Sequence, residues 1–344
     1  MKLSTLTHEL AIWGYAFGYF ACYAPYSALT KLLSQGKLSG MPRALSGFEL
    51  LPITTVASLV AMFTFMTVMG FWQYAGRRTV FGRSVPFPGR WTFFSGLATA
   101  AVIGTTTLAY TFEGVSIVFM MLLMRGGMLV MAPIVDAISR RAVKWFSWVA
   151  LALSLGALVA AFTDAKSYAM TTIAAVDVTV YLVAYFVRLR FMSRNAKSDR
   201  PEDSLKYFVE EQMVATPAIV TALIVVALVG HGSIGMDVRR GFSDIWQSGA
   251  VGTAAIVGVL SQGTGVFGGL VLLDKRENTF CVPVNRASSV LAGLVATAAL
   301  TVIAGATSPP TSELVGAGLI LSAIGVLATP TIWKAVRGKK AQPA

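Results

Sequence analysis

Two arginines stand where a charge is costly. Arg125 lies in the run Val118-Phe-Met-Met-Leu-Leu-Met-Arg125-Gly-Gly-Met-Leu-Val130, and Arg286 lies in Phe280-Cys-Val-Pro-Val-Asn-Arg286-Ala-Ser-Ser-Val290. A guanidinium keeps its proton in any protein environment. Placing one at the centre of an apolar helix in a bilayer costs at least ~2.5–3.5 kcal/mol. It therefore needs an anion or a watered cavity. Its planar fork of donors matches a carboxylate or phosphate two bonds at a time. Asp177, in the apolar run Ile173–Val183, is the internal carboxylate that could answer the arginines. Two readings stand open. The arginines contact an anionic substrate, or they pair with Asp177 and hold helices together. Asp177 could equally exchange with substrate on an arginine, or carry a proton.

Other polar residues recur at helical spacing. Tyr23 and Tyr26 are matched by Tyr181 and Tyr185, either as packing or as hydroxyls lining a cavity. Thr105, Thr106 and Thr107 are matched by Ser261, Gln262 and Thr264, either as helix–helix hydrogen bonds or as lining. Gly263, Gly265, Gly268 and Gly269 allow close packing or bending. Glu49, Glu210 and Glu211 sit near the entrances of apolar runs, where interfacial solvation competes with gating or proton coupling. Lys31, Arg188 and Arg190 sit near run ends, where snorkelling to headgroups competes with guiding anions inward. The expected substrate-binding set is Arg125, Arg286, Tyr26, Tyr185, Gln262 and Thr106. The expected proton-coupling or counter-ion set is Asp177, Glu49 and Glu211. With His8 and His231 the only histidines, and no H-E-x-x-H, G-x-S-x-G or Asp-rich metal motif, no catalytic residue, metal or cofactor is expected, and the chain reads as a non-enzyme.

The elements that must position these residues follow from composition. The 344 residues are 55% hydrophobic and 13% charged, against about 25% charged in soluble domains. Mean hydropathy is +0.68. Ten apolar runs can be marked, at roughly 11–34, 46–75, 92–112, 115–138, 145–163, 168–192, 206–230, 249–273, 279–304 and 312–333. Most reach the ~20 residues that cross ~30 Å of hydrocarbon as a helix. By depth along the helix axis, Arg125 is ~16 Å into the fourth run and Arg286 ~12 Å into the ninth. Cys22 and Cys281 lie in apolar runs and read as small buried hydrophobes rather than a disulfide or metal pair. The first run is expected to be retained rather than cleaved as a signal, being too long and lacking a small-residue cleavage site.

The net charge of +12 is explained by loops rather than by nucleic acid, which is not expected as a partner. With the N-terminus inside, most of the 28 Lys and Arg fall in inside loops and in the basic tail 334–344. That is the positive-inside pattern, with both termini cytoplasmic. The loops are short, in the style of a bacterial inner membrane.

The halves resemble one another. Tyr26 to Lys31 matches Tyr185 to Arg190, and Glu49 with Pro52 matches Glu211 with Pro217. Arg125-Gly-Gly matches Arg286-Ala-Ser-Ser, and Leu155-Gly-Ala-Leu matches Ile324-Gly-Val-Leu. A five-span unit copied once must enter the membrane inverted, as in many secondary transporters. On these features, best seen over Met121–Phe162 and Pro283–Pro330, the chain resembles the drug/metabolite transporter superfamily, the ten-helix EamA-like group. The repeats would be 11–163 and 168–333. The turn Arg140-Arg-Ala-Val143 lacks the acidic residue often found there in exporters of the group. The resemblance implies an all-α carrier with a central cavity lined by spans 1–4 and 6–9, with spans 5 and 10 peripheral. The function expected is alternating-access transport of a small organic anion, phosphorylated or carboxylated, within a lipid bilayer. A proton-coupled exporter of amino acids or amphipathic drugs, with Asp177 as the proton site, and a non-transporting membrane scaffold are the other readings.

Overall fold

A computed structural model of the chain describes residues 3–38, 41, 43–109, 117–162, 171–197, 200–247, 249–304 and 311–340. Side chains are described for the same residues except 3–10, 107, 117–122, 161–162, 201, 304, 313, 331–332 and 334–340. Thr107, His8 and the side chains of the basic tail therefore lie outside the described residues.

The described residues are mostly helical. The helices are α1 Leu3–Ser34, α2 Gly47–Val68, α3 Arg90–Leu108, α4 Ile117–Ile138, α5 Trp145–Phe162, α6 Thr172–Asn195, α7 Pro201–Val229, α8 Gly232–Ser243, α9 Val251–Leu273, α10 Asn278–Ala304 and α11 Thr311–Lys340. Each apolar run expected from the sequence falls on one of them. Among the described residues five helices are long and apolar enough to cross a membrane: Gly47–Val68, Thr172–Asn195, Glu202–Val229, Val251–Leu273 and Asn278–Ile303. Two pieces were not foreseen. A hairpin of β1 (Arg77–Val80) and β2 (Arg83–Pro86) joins α2 to α3. The short α8 follows α7, and its alternating glycines and charges carry no apolar run.

Local chemistry sets the ends. Ser46 Oγ accepts from the Glu49 amide at 3.2 Å while Glu49 Oε2 accepts from the Ser46 amide at 3.2 Å, a reciprocal cap on α2. Thr171 Oγ1 caps α6 by accepting from Ala174 N. Pro201 opens α7 with Glu202 and Asp203 in its first turn, and Gly230 closes it in the left-handed conformation, φ 59°. The hairpin turns on Phe81 and Gly82, both at positive φ, with Val80 paired to Arg83.

The packing crosses between the first and second halves of the chain. α1 lies against α9 and α10, α2 against α9, α3 against α6 and α7, α4 against α6, and α5 against α11. The outer surface of the bundle is apolar: Phe17, Val68, Leu228, Val302 and Ile303 are each at least 70% exposed. Such a surface suits lipid rather than water. Inside, glycine allows backbones to touch. A Cβ on Gly258 of α9 would collide with the Thr54 carbonyl and Ala57 of α2, where Ser58 Oγ also donates to the Gly258 carbonyl at 2.7 Å. We expect Gly258→Leu to destabilise the folded protein in detergent by about 1–3 kcal/mol, while Gly252→Ala, which meets nothing within 4 Å, keeps or slightly raises the thermal midpoint. Thermal unfolding of the purified variants checks both.

Candidate functional site

A cavity of about 120 Å³ lies at the centre of the bundle, room for several waters or the charged end of a solute. Its wall is drawn from seven helices. α1 supplies Tyr19, Tyr23 and Tyr26, and α6 supplies Tyr181, Tyr185 and Arg188. α2 and α3 supply Thr55, Ser58, Thr99 and Thr106, while α7 and α9 supply Gln212, Thr216, Ser261, Gln262 and Thr264. α10 supplies Asn285 and Arg286. The tyrosines arise from helical spacing: residues three and four apart share one face of α1 and one face of α6. The rings of Tyr19, Tyr23 and Tyr26 meet in sequence, tilted and then edge-on, with centroids 5.5 and 5.6 Å apart, and those of Tyr181 and Tyr185 meet tilted at 4.7 Å.

Arg286 is 7% exposed. Its Nη1 donates to Tyr181 Oη at 3.2 Å, and its Nη2 donates to Tyr185 Oη at 3.4 Å and Asn285 Oδ1 at 2.7 Å. The guanidinium lies 5.5 Å from the Tyr185 ring centroid. Nε is buried with no hydrogen-bond partner. Among the described residues no carboxylate pairs with Arg286; its partners are hydroxyls and an amide. Asn285 is held in turn, its Nδ2 donating to the Gly268 carbonyl at 3.2 Å.

Arg188 is a second buried guanidinium in the wall, and it is neutralised. Its Nε and Nη2 donate to the two oxygens of Glu211 at 3.0 and 2.8 Å. Arg188 is 5% exposed and Glu211 0%. Ser95 Oγ also donates to Glu211 Oε1 at 2.6 Å, and Tyr207 Oη donates to Ser95 Oγ at 2.6 Å. The expectation that Arg188 snorkels to headgroups and that Glu211 is solvated at an entrance is corrected here. Arg188 follows Tyr181 and Tyr185 by seven and three residues and so shares their inward face, and a bidentate partner waits on α7. That spacing was the signal in the sequence.

The other expected residues divide. Tyr26, Tyr185, Gln262, Thr106 and Arg286 meet in the cavity wall. Arg125 stands outside the wall, partly buried, with Nη2 3.5 Å from the hydroxyl of the wall residue Tyr23. Asp177 is 6% exposed, and its Oδ2 has no hydrogen-bond partner. Among the described residues it forms no ion pair, so the alternative in which it pairs with Arg125 or Arg286 is not seen. Glu49 is away from the cavity and answers Arg43, with bonds of 2.6 and 2.7 Å. That bond holds the Arg43 guanidinium above its ordinary pKa.

Asp136, which the sequence left unassigned, and Glu210, read there as an entrance carboxylate, tie helix ends together. Asp136, at the end of α4, accepts from the Asn278 amide and Nδ2 and from the Thr279 amide and Oγ1, at 2.7–2.9 Å, and so caps α10. Glu210 of α7 accepts from the Gly76 and Gly89 amides and Thr92 Oγ1, fastening the hairpin base and the start of α3.

No family model matches the chain, and no curated protein matches it. Among solved structures 25 chains match. One, described only as the crystal structure of a protein, has a TM-score of 0.53 at 11% identity, covering 94% of this chain and 97% of that one. At that identity the likeness shows the fold alone.

Removing one member of the buried pair leaves the other charged and dry. We expect Glu211→Ala to cost about 3–5 kcal/mol of stability. The double variant Arg188→Leu/Glu211→Leu recovers most of it, as read from denaturation of each purified protein.

Proposed function

We propose that the chain is a secondary transporter that carries a small organic anion across a membrane by alternating access around the central cavity. The observation that carries the reading is Arg286. It is a permanently charged group in the cavity wall, held by Tyr181, Tyr185 and Asn285 and answered by no carboxylate among the described residues. A dry unmatched guanidinium is costly, and an entering carboxylate or phosphate removes that cost. The wall offers hydroxyl and amide groups around it, which fixes orientation as well as charge. The cargo class is a phosphorylated or carboxylated metabolite, and no enzymatic step is part of the proposal.

The architecture proposed for this work is ten spans in two inverted repeats, 11–163 and 168–333, with both termini cytoplasmic in a bacterial inner membrane, in the EamA-like group. The packing supports the duplication. Exchanging α1 with α6, α2 with α7, α3 with α9, α4 with α10 and α5 with α11 turns the α1–α9 contact into α6–α3. It turns α3–α7 into α9–α2 and α1–α10 into α6–α4, and it leaves α5–α11 unchanged; all of these contacts exist. A random bundle has no reason to obey that exchange. Cargo sites of inverted-repeat carriers lie at the interface of the repeats, and the cavity wall here draws on both.

The unpartnered Oδ2 of buried Asp177 favours one other reading, an exporter driven by proton binding at that carboxylate. In proteoliposomes Asp177→Asn would then abolish the dependence of transport on a pH gradient. For the anion reading, phosphorylated and carboxylated compounds should raise the thermal midpoint of the purified protein, and Arg286→Ala should remove that shift while remaining folded. Equal shifts in both proteins, or none in either, would overturn it.

A further inference from the structure

The charges around the cavity do more than attract an anion; they count it. Arg188 and Glu211 cancel, so the cavity wall carries one unmatched positive charge, on Arg286. Arg125 stands outside the wall, meeting it through the Tyr23 hydroxyl at 3.5 Å, and its partial exposure leaves its charge screened by water. A monovalent anion on Arg286 makes the site neutral. A divalent anion leaves one negative charge too many in a poorly hydrated interior, where an uncompensated charge is expensive. The structure holds a group that can remove it. Glu211 is fully buried, lies behind a wall residue, and receives a chain of hydrogen bonds donated in its direction, Tyr207 Oη to Ser95 Oγ to Glu211 Oε1, both at 2.6 Å.

We propose that Glu211 is a proton site coupled to the cavity: a divalent anion enters together with one proton, which Glu211 takes as the anion replaces it on Arg188, whereas a monovalent anion needs none. The proposal rests on the anion-carrier reading above. The exchange balances. Glu211 passes from carboxylate to carboxylic acid by adding the proton, the Arg188 Nε and Nη2 donors move from Glu211 to oxygens of the anion, and no bond other than these and the new O–H changes. Arg188 is placed for this. It is a wall residue, and its Nη1 makes no hydrogen bond among the described residues.

The groups that face Glu211 are few. α6 presents Arg188, α3 presents Ser95, and α7 itself presents Tyr207. Glu210 turns instead to the Gly76 and Gly89 amides, with Lys206 4.0 Å from it. α9 carries no ionisable side chain, and the only one on α2 is Glu49, bound to Arg43. The ionisable groups of α8, Asp237, Arg239 and Arg240, bond to Ser46, to the end of α7 and to one another. Among the described residues no other carboxylate bonds to Arg188.

The test uses two anions that stay fully ionised from about pH 5.5 to 8, sulfate (divalent) and methanesulfonate (monovalent). Each is added to the purified full-length protein in lightly buffered detergent solution with a pH-indicating dye. Sulfate binding should take up about one proton per site, and its affinity should fall by up to about tenfold per pH unit as pH rises. Methanesulfonate should bind with no proton uptake and no pH dependence. Glu211→Gln should bind sulfate without uptake and with a flat pH profile, while Asp177→Asn should behave as the unmodified protein. The central arms need no variant, so a folding defect in Glu211→Gln does not remove the test. Sulfate binding without uptake, equal uptake with both anions, or loss of uptake in Asp177→Asn alone would each overturn the proposal. If neither anion raises the thermal midpoint of the unmodified protein, the anion-carrier reading falls first and this inference with it.

Discussion

A guanidinium cannot be left dry. Much of the interior of this protein is arranged around that constraint, because the bundle presents an apolar surface and has little water to spare within it. Arg188 meets the constraint with a carboxylate two bonds wide. Arg286 meets it with two phenols, an amide and the face of an aromatic ring. The two solutions differ in kind. The first is complete and fixes α6 to α7. The second solvates the cation without cancelling it, and it brings α6 to α10 around a space that stays open.

The same rule extends to the helix ends. Backbone donors left over at the start of a helix must find acceptors. Asp136 provides them for α10 and Glu210 for the turn before α3, each from a helix distant in sequence. Arg141 and Lys197 answer the opposite need, donating to the carbonyls of Ser193, Lys197 and Lys275 and of Arg276. Long polar side chains thus act as ties between helices whose touching faces are otherwise apolar.

Much of this architecture is legible in the sequence. Apolar run length gave the helices, because a helix that buries no polar group must be apolar over its whole length. Helical spacing gave the tyrosine faces and so most of the cavity wall. The local readings failed where tertiary pairing decided the outcome. Arg188 and Glu211 each look like an end-of-helix charge, and only the approach of α6 to α7 turns them into a buried pair. Asp177 and Arg125 lie at similar depth by residue count, yet depth says nothing of rotation about the helix axis, and they do not pair. The hairpin and α8 were missed because short polar segments between apolar runs carry no periodic signal.

The seam between α1 and α9 has a further meaning. Phe267 of α9 sits over Gly18 of α1, while Cys22 and Tyr19 of α1 sit over Gly263 and Gly268 of α9. Each helix drives bulky teeth into notches cut in the other, so neither slides past its mate without withdrawing them. α2 meets α9 through Gly258, and α3 meets α7 through Gly96 against Val214. The parts that are keyed together therefore come from opposite ends of the gene. A displacement of α1 therefore carries α9 with it, and the mechanical division of the molecule does not follow the order of the chain.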